Sequence, residues 1–244
     1  MVTALIFAGG TGTRMRNTDI PKQFLSVSGI PIIIRTLSFF SEHPMVDNII
    51  IVCLSTWIEQ LKIDLEKFNI KGVIGIIPGG STGFESIRLG LDRAHEMSTD
   101  EDIILICDGV RPILSESLIT TCIHDAKEFG TAVPVTRSID SVLYSEDGIN
   151  CSKNMKREKV FITQAPQGYK MKTIMDAHLK AEKRGIESIS SADLILDLGG
   201  KIHLIKGIRE NIKVTSRDDL NIIRATEYYE HFKIFSREEL EYGE

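Results

Sequence analysis

The stretch that most constrains this chain is its beginning. Thr3-Ala4-Leu5-Ile6-Phe7-Ala8 is an apolar run of strand length. It breaks at once into Gly9-Gly10-Thr11-Gly12-Thr13-Arg14-Met15, and Pro21-Lys22-Gln23 follows. A buried strand that stops in three glycines out of four residues lets the backbone approach a ligand closely and turn N–H groups toward it. Such groups bind anions, and Arg14 and Lys22 add two full positive charges. The segment Phe7, Ala8, Gly9, Gly10, Thr11 and Gly12 reads as a triphosphate cradle. A P-loop is excluded, because no Gly-Lys-Ser/Thr closes the loop. A dinucleotide fingerprint is excluded too: Met15 stands where its third glycine belongs, and the next strand-like run, Asn48–Leu54, is too distant to supply its acid.

Behind the cradle, apolar runs alternate with amphipathic ones. Strands are expected at Ala4–Ala8, Asn48–Leu54, Val73–Ile77, Ile103–Cys107 and Thr131–Val135. Helices are expected at Pro31–Glu42, Thr56–Phe68, Phe84–Met97 and Glu116–Phe129, with Pro31 at a first helical position and Ser115 as an N-cap. Unbroken Ile, Val and Leu runs suit strands buried on both faces, and the βαβα order implies a doubly wound, mainly parallel α/β sheet, Rossmann-like in form. Ligands in such sheets sit beyond the strands' carboxyl ends. Most of the polar loops follow strands and should gather there.

Past Val135 the pattern changes. Ser138 to Ile162 alternates in part, turns at Glu146-Asp147-Gly148 and carries no helical stripe. It reads as a β-arm, 138–162, with too little to bury itself against and hence a partner subunit to meet. Helical pattern returns at Met171–Arg184 and at Ser191–Leu198, which Gly199-Gly200 ends. Strands are expected at Lys201–Lys206 and Ile212–Val214, then a last helix capped by Ser216 and running to about Tyr229. Residues 1–233 form one expected domain, and 234–244 an acidic peripheral tail.

Totals narrow the function. A net charge of −5 provides no general attraction to nucleic acid or membrane, so positive charge must act locally. No run reaches membrane-spanning length and no signal peptide is recognisable. Cys53 and Cys107 sit in apolar runs without CxxC pairing, as buried thiols of a cytoplasmic protein would. The six histidines lack ligand spacing, which argues against zinc.

Three further groups carry possible chemistry. Gly79-Gly80-Ser81-Thr82-Gly83 with Ser86 forms a second glycine loop running into a helix, able to hold a base or ribose. Asp108-Gly109-Val110-Arg111-Pro112 follows a strand, and Asp108 there is a natural Mg²⁺ ligand beside a nucleotide. The plainer alternative is an Asp108–Arg111 surface pair of little consequence. Asp140 and Arg157 lie on the two sides of the arm. Lys213 falls within a short apolar strand, where an edge lysine is the commoner explanation. No base or nucleophilic side chain stands out. A phosphate monoester needs none, since its second pKa of about 6 leaves it ionised. Such a reaction needs charge neutralisation and alignment.

Together these motifs resemble the methylerythritol-phosphate and ribitol-phosphate cytidylyltransferases from Ala4 to about Tyr229. The resemblance rests on Ala8–Met15 with Pro21-Lys22-Gln23, Gly79-Gly80 with Ser86, Asp108–Pro112, Arg157 with Gln164-Ala165-Pro166-Gln167, and Asn211-Ile212-Lys213-Val214-Thr215. It implies CTP and a polyol phosphate as substrates, with Mg²⁺. Arg14, Lys22, Arg157 and Lys213 would be catalytic. Gly79, Gly80, Thr82, Ser86, Asp108 and Gly109 would join the first loop in binding CTP. Arg111, Asp140, Arg157 and Lys213 would hold the acceptor, and the arm would form a homodimer, carrying Asp140 and Arg157 into the neighbour's site. Gly83 stands where an arginine is frequent, Cys107 where histidine is usual, Gly109 where alanine or serine is usual, and Ser190-Ser191 where the family has Thr-Asp. The Thr82-Gly83 pair and the long Thr136–Asp140 segment resemble the ribitol-phosphate type. Methylerythritol phosphate is the second expectation, and a catalytically silent nucleotide-binding domain the third.

Overall fold

The computed structural model describes residues 1–10 and 20–232, the last six of these by backbone alone. In chain order the elements are β1 (Val2–Ala8), β2 (Ser26–Val27), β3 (Ile30–Pro31), α1 (Ile32–Ser41), β4 (Asn48–Cys53), α2 (Ile58–Lys67), β5 (Val73–Pro78), α3 (Gly83–His95) and β6 (Ile103–Asp108). Then come α4 (Glu116–Phe129), β7 (Thr131–Arg137), β8 (Val142–Tyr144), β9 (Lys153–Met155), β10 (Phe161–Thr163), β11 (Gln167–Lys170), α5 (Met171–Arg184), α6 (Ser191–Asp197), β12 (Leu204–Lys206) and α7 (Arg217–Phe232).

The main sheet runs β10–β7–β11–β6–β1–β4–β5, with β12 also on β7. Strands β6, β1, β4 and β5 are mutually parallel, as the unbroken apolar runs require. β11 is antiparallel to both β6 and β7. It was not expected as a strand, because Gln167-Gly168-Tyr169-Lys170 has neither the apolar run nor the alternation that marks one. Gly168 makes the placement possible: a Cβ there would stand 2.8 Å from the Cys122 carbonyl of α4.

Alternate residues of β1 feed two cores. Ala4, Ile6 and Ala8 join α1, α2 and α4 on one face. Leu5 joins α3, α5 and α6 on the other. Each fully buried Leu or Ile contributes roughly 1.5–3 kcal/mol. Ser115 caps α4 as expected, accepting from Leu118 N at 3.2 Å, and Gly199 takes a left-handed φ of 80° just past α6.

Two local expectations are corrected. Pro31 precedes α1 and pairs with Ser26 in β3 rather than opening the helix. Ile212–Val214 is no strand. It is an irregular segment, because its backbone bonds go to a loop and to itself: Val214 N to Val110 O at 2.9 Å and Ile212 N to Glu210 O at 2.7 Å.

The chain leaves β1 toward β4 and β5, and α3 then carries it back across β4 and β1 to β6 on the other side. The switch point therefore lies between β1 and β6, with Phe7 and Asp108 in register at its mouth. Within 138–162, β8 and β9 make a separate two-stranded ribbon. Its turn closes on Asp147, whose carboxylate accepts from Ile149 N and Asn150 N. β10 returns to the end of β7.

Candidate active site

The loops after β1 and β5 meet face to face. A Cβ on Gly79 would lie 3.2 Å from Ser86 Oγ and one on Gly9 3.3 Å from the same atom, so glycine at both positions leaves room for the Ser86 hydroxyl between the loops. Gln23, in a short turn with Lys22, donates to Ala8 O at 2.6 Å and to Gly10 O at 3.2 Å, bracing the strand where it becomes the loop. Lys22 is half-buried beside it. Thr11, Gly12 and Arg14 lie outside the described residues. Ser86 Oγ accepts from Gly80 N at 3.0 Å and donates to Thr82 O at 2.8 Å, so it first holds its own loop. Thr82 caps α3. Gly109 sits tightly under β1, its N–H on Phe7 O at 3.0 Å.

Asp108, the last residue of β6, is 6% exposed and carries a cation on each oxygen. Lys213 Nζ lies 2.6 Å from Oδ1, and Arg111 Nε lies 3.0 Å from Oδ2. Burial alone would raise its pKa, but Lys213 and Arg111 more than offset this and hold the carboxyl below its usual range. The surface-pair explanation thus fails, because the Asp108–Arg111 pair is buried. So does the edge-lysine explanation, because Lys213 leaves an irregular segment to reach Asp108, with its ammonium 6.0 Å from the centre of the Phe7 ring.

Two residues with no role expected of them hold this arrangement. Arg111 Nη1 donates to Asn211 O at 3.0 Å, and Asn211 Nδ2 donates to Ala165 O at 2.6 Å. Gln164 Nε2 donates to Ile208 O at 2.7 Å and Asn211 O at 3.2 Å. Both stood within quoted motifs, but a buried amide's value depends on which carbonyls it faces, and spacing does not show that.

Asp108, Arg111, Lys213 and Phe7 line a cleft of about 180 Å³ with Gln164, Gln167, Ser190 and Ser191. Two larger hollows, about 440 Å³ between α3 and α5 and about 580 Å³ beside β10 and β12, contain none of the charged trio. The cleft, not the largest hollow, has the chemistry. Asp140 and Arg157 do not line it. Both are exposed, and Arg157 Nη1 donates to Ile139 O at 3.1 Å. Among the described residues no group of three His, Cys, Asp or Glu side chains could hold a metal, and no helix is long and apolar enough to cross a membrane.

A parallel sheet with two glycine loops and a charged cleft at its switch point defines a nucleotide-using α/β enzyme. Residues 2–228 match the family described as IspD, 2-C-methyl-D-erythritol 4-phosphate cytidylyltransferase, and the chain belongs to that family. It is a CTP-dependent nucleotidyltransferase. The chain is 36% identical to a ribitol-5-phosphate cytidylyltransferase of Streptococcus agalactiae serotype V, over 92% of this chain and 94% of that one. It is 35% identical to a 2-C-methyl-D-erythritol 4-phosphate cytidylyltransferase of Clostridium novyi, over 89% and 92%. The crystal structure of a 4-diphosphocytidyl-2C-methyl-D-erythritol synthase from Anaerococcus prevotii superposes with a TM-score of 0.80 at 25% identity, covering 93% and 96%.

Proposed function

We propose that this cytidylyltransferase moves CMP from CTP to D-ribitol 5-phosphate, giving CDP-ribitol and pyrophosphate. The observation that carries the chemistry is the buried Asp108 carboxylate with Lys213 and Arg111 on its two oxygens, in a cleft beside the glycine loops. The acceptor phosphate's oxygen attacks the α-phosphorus, and the bond to the bridging oxygen of the leaving pyrophosphate breaks. The acceptor is already ionised near neutral pH, so no side chain need remove a proton. Arg14 and Lys22 stabilise the charge that builds on the α-phosphate. The glycine loops, with Thr82 and Ser86, seat the nucleotide. Arg157 and Lys213 align the acceptor's phosphate.

Asp108 suits Mg²⁺. A lone ionised carboxylate facing a cleft is what that ion needs when phosphates and waters complete its shell. When bound, the ion neutralises triphosphate charge.

The acceptor assignment is supported by the 36% identical relative named for ribitol 5-phosphate. The second reading, methylerythritol 4-phosphate, is supported by the 35% identical relative from Clostridium novyi. We further read residues 1–233 as one domain and the 138–162 segment as a dimer arm, presenting Asp140 and Arg157 to the neighbour's cleft. Its exposed Ile139, Leu143 and Ile149, the last 86% exposed, support a partner.

Pyrophosphate release with CTP and Mg²⁺ over ribitol 5-phosphate, methylerythritol 4-phosphate, glycerol phosphates and pentose phosphates tests the assignment. Turnover with ribitol 5-phosphate is expected. Turnover with methylerythritol 4-phosphate alone would replace it with the second reading.

A further inference from the structure

Each oxygen of Asp108 already accepts from a cation. Lys213 Nζ stands 2.6 Å from one and Arg111 Nε 3.0 Å from the other. We propose that Lys213 is the resident counter-ion of Asp108 and competes with free divalent cations for that carboxylate, so that a cation binds there far more tightly together with the nucleotide's phosphates than alone. This rests on the reading of Asp108 as the metal ligand.

Charge is the first reason. One carboxylate faces two cations, so Asp108, Lys213 and Arg111 together carry one excess positive charge before any metal arrives, while Asp193, the other acid among the described residues lining the cleft, is exposed and bonded to Ser190. A bare divalent cation adds two more, beside the buried Asp108 and Arg111. A cation carried by a triphosphate brings more negative charge than positive, and the same cluster then attracts it.

Anchoring is the second reason, and it decides which cation yields. Arg111 is fixed. Its side chain is buried, and Nη1 is held by Asn211 O at 3.0 Å. The Lys213 side chain is 43% exposed on a flexible stem. Turning toward solvent costs an ammonium little, whereas withdrawing Arg111 would break its bond to Asn211 O and displace a buried guanidinium. Lys213 therefore leaves Asp108, and its ammonium remains at the cleft where the acceptor's phosphate is to be held.

Mn²⁺ serves as the probe, followed by its electron paramagnetic resonance in the nucleotide-free full chain. Lys213→Gln is expected to bind Mn²⁺ at least about tenfold more tightly than wild type, the scale on which one adjacent charge shifts a neighbouring equilibrium. Asp108→Asn is expected to lose the site. Equal or weaker binding by Lys213→Gln, with the site still lost in Asp108→Asn, overturns the proposal and leaves the metal reading standing. Unchanged Mn²⁺ binding in Asp108→Asn overturns both. Wild-type protein provides a test that needs no variant. Amine-selective labelling of Lys213, read by peptide mass spectrometry, is expected to rise severalfold at saturating Mn²⁺. No rise overturns the proposal.

Discussion

The side-chain amide of Asn211 donates to the main-chain carbonyl of Ala165 at 2.6 Å, 46 residues away in sequence. This bond joins the irregular segment that carries Lys213 to the corner between β10 and β11. The same asparagine accepts Arg111 on its own carbonyl, so Arg111 and Lys213 approach Asp108 from one anchored backbone. Asn211 is 2% exposed, and losing its amide would leave the Ala165 carbonyl buried without a donor.

Asn211→Ala is accordingly expected to destabilise the protein by about 1–3 kcal/mol in denaturant unfolding. Its kcat should fall in steady-state pyrophosphate release, with KM for CTP little changed, because the glycine loops are untouched. A folded variant with wild-type kcat would show that Asp108 is oriented without it.

Lys22→Ala and Arg14→Ala should each lower kcat by about 10²–10³-fold, the effect of removing one preorganised donor from a developing charge. Circular dichroism and melting temperature should stay near wild type. Retained turnover in either variant would remove that residue from the catalytic set.

His178 of α5 is 2% exposed, stacks on Phe84 at 4.8 Å and, among the described residues, has no hydrogen-bond partner for either ring nitrogen. Burial, with Arg88 nearby, lowers its pKa to about 4. The unfolded chain takes up its proton near pH 6.5, but the folded one does not until about pH 4. Above about pH 6.5 both states are neutral and the residue adds no pH dependence. As pH falls from about 6.5 to 4, stability should drop by up to about 3 kcal/mol. Urea unfolding at several pH values should show this loss, and His178→Leu should flatten it. An equal slope in the variant would assign the acid sensitivity elsewhere.

Gly90 lies in the middle of α3, where alanine ordinarily favours the helix by about 1 kcal/mol. Here an added Cβ would sit 2.4 Å from Leu5 Cδ1 and 2.9 Å from Val52 Cγ2. Gly90→Ala should therefore lower stability by about 1–3 kcal/mol, overpacking outweighing propensity. A stabilised variant would mean that Leu5 repacks without cost.

The arm reading predicts a dimer in sedimentation at micromolar protein. Charged replacements at Ile139 and Leu143 should shift it toward monomer and lower turnover together, since Asp140 and Arg157 are assigned to the partner's cleft. A fully active monomer would withdraw both residues from the site.

The parallel half of the sheet was legible in the sequence because each strand there is buried on both faces and writes its position as an apolar run. Leu5, Ile50, Ile51 and Ile104, all essentially inaccessible, are of this kind. The glycine loops were legible because close backbone approach demands glycine wherever it occurs. Asp108 and Lys213 could be named from motifs, but their contact could not. They are 105 residues apart, and Lys213 reaches Asp108 only because Asn211, Gln164 and Val214 hold an irregular segment there.

Local chemistry was thus determined by the sequence itself: strand-length apolar runs, capping serines, glycines at turns and charges at strand ends. Tertiary structure alone decided the insertion of β11 between β6 and β7, the loss of the strand expected at Ile212–Val214, and the pairing of two cations on one buried carboxylate. The division has a physical cause. A local preference acts between near neighbours and recurs along the chain, while burial, screening and the partner of a polar group depend on which distant backbone closes over it.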